Sequence, residues 1–240
     1  MLIETKGIVI NTFKYGDNSL IARCFTQSYG LQSFLLKGIL KTKQGGIRKS
    51  QFQALTQLNL SYNFKSPSKL QFLKEVKVLN LYKTIPVKIS KNTLVLFLSE
   101  VLKNVIKDDG PNNSLFIYLE TSLNWLDNVE NVKNFHVIFL IKLTKFLGFY
   151  PNYSSEGIYF DIENGCFTNV KKNSSTIEGL YVKVLRSLLG MNFGEVESIK
   201  LNRASKHQLI EIILRYFDFH LDNFLRPKSL SVLHELFEKT

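Results

Sequence analysis

The side chains best equipped for chemistry in this 240-residue chain are its lysines and arginines, and the chemistry they suit is the gripping of phosphate. Between Asp17 and Glu75 there is no acid, while Arg23, Lys37, Lys41, Lys43, Arg48, Lys49, Lys65, Lys69 and Lys74 all fall in that gap. The first 80 residues carry a formal charge of +9 and the remaining 160 only +2, of +11 in all. A small folded segment with that charge repels itself. A polyanionic partner is the simplest reason to tolerate the cost. Cations laid along phosphates release counterions, which makes such binding strong and steeply salt-dependent. Arg23, Lys37, Lys41, Lys43, Arg48, Lys49, Lys65 and Lys69 are the candidate DNA contacts. Gly38, Gly45 and Gly46 lie among them and let a backbone approach phosphate closely. No GxxxxGK[ST] string occurs, so this is not a nucleotide-binding P-loop. Backbone contacts of this kind position a strand without reading its bases. Unpaired bases can in addition stack on aromatic rings. Tyr15, Tyr29 and Phe64, next to turn residues, are the stacking candidates.

Catalysis and metal binding find no constellation. His136, His207, His220 and His234 lack metal-ligand spacing and fall in helix-like runs. There is no GxSxG, GxGxxG or paired-carboxylate motif, and Asp108-Asp109 reads as helix-end polarity. A non-catalytic protein is expected. Cys24 and Cys166 lie far apart in sequence and read as free thiols. No apolar run approaches the ~20 residues of a membrane span. The first six residues have no apolar signal region. A cytoplasmic protein is expected.

Short strands must hold the cations in place. β-branched or alternating runs at 6–12, 20–26, 31–37, 56–62 and 70–81 predict five of them. In the fourth, Thr56, Leu58, Leu60 and Tyr62 share one face and Gln57, Asn59 and Ser61 the other, the pattern of a half-buried strand. Five short strands in about 80 residues predict a small closed barrel, an OB-fold. Residues 38–51 between the third and fourth strands read as a mobile basic loop. After Tyr82 the apolar period becomes helical, predicting helices over 94–105, 114–127 and 132–147. Asn164-Gly165 predicts a hairpin within 157–169. Ser175/Glu178 and Ser205/Gln208 have capping-box spacing before two further helices, and Pro227 opens a last one. The expected architecture is α+β: an OB-fold DNA-binding domain over 1–80, then a mostly helical domain over 81–240 with a small β-hairpin.

The residues Gly7-Ile8-Val9, Tyr15-Gly16-Asp17, Leu20-Ile21, Phe25-Thr26, Gly30 and Lys37-Gly38, in that order, resemble the start of RecO, a family of bacterial recombination mediators. Gly148-Phe149-Tyr150-Pro151 fits the family's GF-x-P turn. The run LRYFDFHLDNFLRPKSLSVL resembles its closing segment in the Bacteroidetes branch. The resemblance implies binding to single- and double-stranded DNA and annealing of complementary strands. It also implies loading of RecA, with RecR as partner, onto strands coated by single-stranded-DNA-binding protein (SSB), and a place at the nucleoid. It implies a groove for the acidic, apolar SSB tail, with Arg215, Arg226 and Lys228 as candidates. Many members carry a four-cysteine zinc site after the GF-x-P turn. Here only Cys166 remains, and one thiol cannot hold a structural zinc. No cofactor is therefore expected. A rival reading makes the barrel an adaptor for an acidic protein.

Overall fold

A computed structural model describes residues 1–41, 46–66, 69–154, 156–172 and 175–238, with the side chains of 196, 197, 237 and 238 outside that description. Its contacts divide into two compact units, residues 1–128 with 227–229, and 129–226 with 230–240.

The first unit is built on five strands: β1 (Leu2–Tyr15), β2 (Ser19–Thr26), β3 (Gly30–Leu36), β4 (Gln57–Asn63) and β5 (Leu73–Val78). β1 is longer than the sequence pattern indicates because it has two partners. Its first half pairs with β4 and its second half with β2, and an irregularity between Val9 and Asn11 lets it turn from one to the other. The antiparallel order is β3-β2-β1-β4-β5. The two ends then meet in parallel: the Leu35 N–H donates to the Gln71 carbonyl at 3.0 Å, and the Gln71 N–H to the Ser33 carbonyl at 2.8 Å. That seam closes the sheet into the OB topology the strand count predicts. Val9, Ala22, Cys24, Phe34, Leu58, Leu60 and Tyr62 fill the interior. Phe34 and Tyr62 meet edge to face, with centroids 5.0 Å apart. Burial pushes the Cys24 thiol pKa up, so it stays protonated and inert. Gly30 has φ +64°, and a Cβ there would lie 2.3 Å from the Gly110 carbonyl oxygen, so only glycine fits this turn.

α1 (Ile89–Val105) and α2 (Asn113–Asn128) belong to the same unit. Ser99 of α1 donates to the Ile10 carbonyl of β1 at 2.6 Å. α2 meets the face of β4 that was expected to face solvent, at Gln57. There Gln57 is buried, and its Nε2 donates to Asn124 Oδ1 at 2.9 Å and to the Tyr82 hydroxyl at 3.0 Å. Asn80 donates to Gln57 Oε1 at 2.7 Å, which completes the amide's bonding. Gln57 is thus a junction residue, while Asn59 on the same face stays half-buried. The segment leading into α1 is tied down by Asp127, whose carboxylate accepts the N–H groups of Lys83, Thr84 and Ile85 at 2.8–2.9 Å. Lys91, wholly buried, donates to Thr84 Oγ1 at 2.6 Å and to the Asp127 carbonyl at 2.9 Å.

In the second unit, α3 (Phe135–Phe146), α4 (Leu180–Leu188), α5 (Arg203–His220) and α6 (Leu230–Glu238) accompany a small sheet of β6 (Tyr159–Asp161), β7 (Cys166–Thr168) and β8 (Thr176–Glu178), in the order β7-β6-β8. β6 and β7 are the expected Asn164-Gly165 hairpin. β8 adds a third strand where a capping box was expected: Ser175 accepts the Ile162 N–H, Thr176–Glu178 pairs with β6, and Gly179 starts α4 instead. On α5 the cap is also displaced: Asn202 Oδ1 accepts the Ser205 N–H at 2.9 Å, so Ser205 lies inside the helix.

His136 is buried in this unit, and burial, with like charge from Lys206 and His234, pushes its pKa down to about 3. The unfolded chain takes up that proton near 6.5. Below pH 6.5 the unfolded state binds more protons, so this part of the stability is present at neutral pH and is lost as pH falls toward 3. Between pH 7 and 4.5 the loss from this group should be about 2–3 kcal/mol. Urea unfolding at the two pH values should show His136→Phe losing that much less than wild type.

Candidate nucleic-acid interface

The expected cations do not form one cluster. Lys37 follows β3, and Lys41, Arg48 and Lys49 follow in the connection to β4; all four are exposed and line one pocket of about 490 Å3. Lys43 lies outside the described residues. Arg23 instead borders a second hollow, with Asn11, Phe13, Glu100 and Lys103. Lys65 and Lys69 flank the turn between β4 and β5 and are exposed.

In its described part, the connection expected to be a mobile loop is packed. Ile39 and Ile47 rest against the barrel core. The Leu40 N–H donates to the Asn18 carbonyl at 3.1 Å. Gln51, in a short 3-10 turn over Lys49–Phe52, accepts the Arg48 N–H at 2.7 Å and donates to the Val76 carbonyl of β5 at 3.2 Å. Two apolar anchors and one glutamine thus hold the backbone of Arg48 and Lys49 against the wall.

Gln71 does the same for the other basic turn. Its buried side chain donates to the carbonyls of Ser66 at 2.6 Å and Lys69 at 2.9 Å, and accepts the Lys65 N–H at 3.2 Å. Nothing in the sequence marks Gln71 as the residue that both closes the barrel and shapes a cationic turn. An isolated glutamine before an apolar run carries no such signal.

The aromatic candidates divide. Tyr29 and Phe64 lie against each other, tilted by 31° with centroids 4.7 Å apart, and both pack against the barrel core. Tyr15 is 51% exposed beside the β1–β2 turn. Phe72, which was not among the stacking candidates, is 45% exposed and lines the basic pocket. Lys65 Nζ lies 4.7 Å from the centroid of its ring, within cation–π reach.

In the second unit, Arg215 sits on α5 with its guanidinium 5.8 Å from the Phe219 ring centroid. Arg226 is matched by two acids, reaching Asp218 at 2.8 Å and also Glu211. Lys228 is exposed and belongs to the segment grouped with the first unit.

After the Gly148–Pro151 turn comes the stretch where the family resemblance places a zinc site. Among the described residues no three His, Cys, Asp or Glu side chains gather, and Cys166 is a single free thiol. The β6–β7 turn is held by Asp161, whose carboxylate accepts the N–H groups of Glu163 at 3.0 Å and Asn164 at 3.2 Å, the Asn164 side-chain amide at 2.7 Å and Lys172 Nζ at 2.8 Å. Burial alone would raise the pKa of this carboxyl. The bonds from Lys172 and Asn164 outweigh it and hold the pKa below the usual range. No described helix is long and apolar enough to cross a membrane.

A closed five-stranded barrel of OB topology, with cations and an exposed ring on one stretch of its wall, defines the class: an OB-fold protein with the features of a nucleic-acid interface. Residues 1–82 match the family described as "Recombination protein O N terminal", and residues 87–230 match "Recombination protein O C terminal". The chain is 40% identical to the DNA repair protein RecO of Christiangramia forsetii, 37% to that of Flavobacterium psychrophilum and 35% to that of Bacteroides fragilis, covering 99% of this chain and all of each relative. The chain belongs to the RecO family of DNA repair proteins.

Proposed function

We propose that this chain is a non-catalytic recombination mediator, working in the cytoplasm at the nucleoid. Its barrel grips the backbone of single- and double-stranded DNA and anneals complementary strands. With RecR it helps load RecA onto SSB-coated single strands. The observation that carries the reading is the group of exposed cations, Lys37, Lys41, Arg48 and Lys49, fixed on one stretch of barrel wall in a member of a DNA repair family. Annealing needs no reacting group: a cationic surface screens the repulsion between two phosphate chains and raises their local concentration. It needs no zinc either, because Asp161 holds the turn. For the acidic SSB tail, Arg215 beside the exposed Phe219 ring is a candidate anchor, because it pairs a cation with an apolar face.

The test is annealing of two complementary oligonucleotides, one precoated with the cognate SSB, across a salt series with EDTA present. Faster pairing that fades steeply with salt and survives the chelator is expected. Absence of both annealing and salt-sensitive DNA binding would overturn the reading and make an acidic protein the barrel's partner.

A further inference from the structure

The pocket on the barrel wall has two kinds of lining. Ile39, Ile47 and Leu73 are partly buried and pack against the core beneath it. Lys37, Lys41, Arg48 and Lys49 are exposed around it. Phe72 lines the pocket too, with its ring partly exposed. Its backbone is fixed by its neighbour Gln71 at the barrel seam, and Lys65 lies over one face of its ring. Phosphates alone would call for cations on an open surface. An apolar hollow with an exposed ring suits a ligand that is planar and apolar on one side and anionic on the other.

We propose that this pocket seats one unpaired nucleotide, its base stacked on Phe72 and its phosphate held by the surrounding lysines and Arg48. The inference rests on the DNA-binding reading and adds to it a selection for single strands. Bases within a duplex are stacked on one another and cannot enter without being pulled out, at an unstacking cost. Duplex DNA therefore engages the cations and leaves the hollow empty.

The experiment measures binding of the full-length protein to three fluorescent probes at one salt concentration: an oligothymidylate, an abasic strand of equal length and a duplex. Wild type should bind oligothymidylate more tightly than the abasic strand. Phe72→Ala should weaken oligothymidylate binding about 5- to 150-fold, the range for loss of one stacked base. The same change should leave the abasic strand and the duplex as they were. Phe72→Trp should retain the wild-type preference, and Phe72→Leu, which keeps an apolar side chain without the ring, should behave like alanine. If Phe72→Ala weakens all three probes alike, or none, the base seat is wrong while DNA binding stands. If wild type binds none of the probes, the DNA-binding reading fails and the seat with it.

Discussion

Reversing Lys41, Arg48 and Lys49 to glutamate should lower DNA affinity about 100-fold or more at low salt and reduce the slope of log affinity against log salt by about 2–3. Each reversal removes a cation from the pocket wall and sets a like charge against phosphate. The loss should be nearly the same for every sequence, because backbone contacts carry no base information. Folding should be unaffected: all three side chains are exposed, and the bond that shapes the turn uses the Arg48 backbone N–H, which glutamate also has. Unchanged binding by a variant with wild-type Tm would remove this stretch of wall from the interface.

The largest effect on stability should come from Asp127→Ala, about 3–5 kcal/mol. Its carboxylate pairs three successive N–H groups, of Lys83, Thr84 and Ile85, which no other described side chain reaches. Burial alone would raise the pKa of this carboxyl, and the three backbone bonds with that from Thr84 outweigh it, so it is held below the usual range and charged at neutral pH. Alanine leaves the three donors unpaired and takes a negative charge from the neighbourhood of the buried Lys91. Urea unfolding should show a lower midpoint with an unchanged slope. A shift below 1 kcal/mol would mean that water or another acceptor replaces the carboxylate at little cost.

The strands of the barrel were legible as β-branched or apolar runs beside turn residues, with clean alternation in the fourth. Helices α1, α2 and α3 were legible from their apolar spacing. What the sequence hid was the second partner of each element. Gln57 looks like a solvent position until Asn124 of α2 bonds it. Ser175 and Glu178 have the spacing of a helix cap, yet Ile162 takes up the Ser175 carbonyl and turns the segment into β8. The interface was legible as a charge and not as a shape. Contiguity in sequence could not show that Arg23 belongs to a separate hollow. Nor could it show that Tyr29 and Phe64 lie against each other while Phe72 remains exposed. Phe72 sits in a run that reads as one bent strand from 70 to 81, and its exposure follows from the seam at Gln71, a contact between residues distant in the chain.

That seam also sets an order of events during folding. β1, β2 and β3 form a meander from neighbours in sequence, and their pairing can begin as soon as they leave the ribosome. The parallel join of Leu35 and Ser33 to Gln71 has to wait until β4 and β5 have been carried round, so its loop-closure entropy is met late. Because the same Gln71 shapes the turn bearing Lys65 and Lys69 and fixes the backbone beside Phe72, these parts take form only in the completed barrel. A nascent chain is cationic from the start, but the shaped turn and the fixed Phe72 backbone mature last.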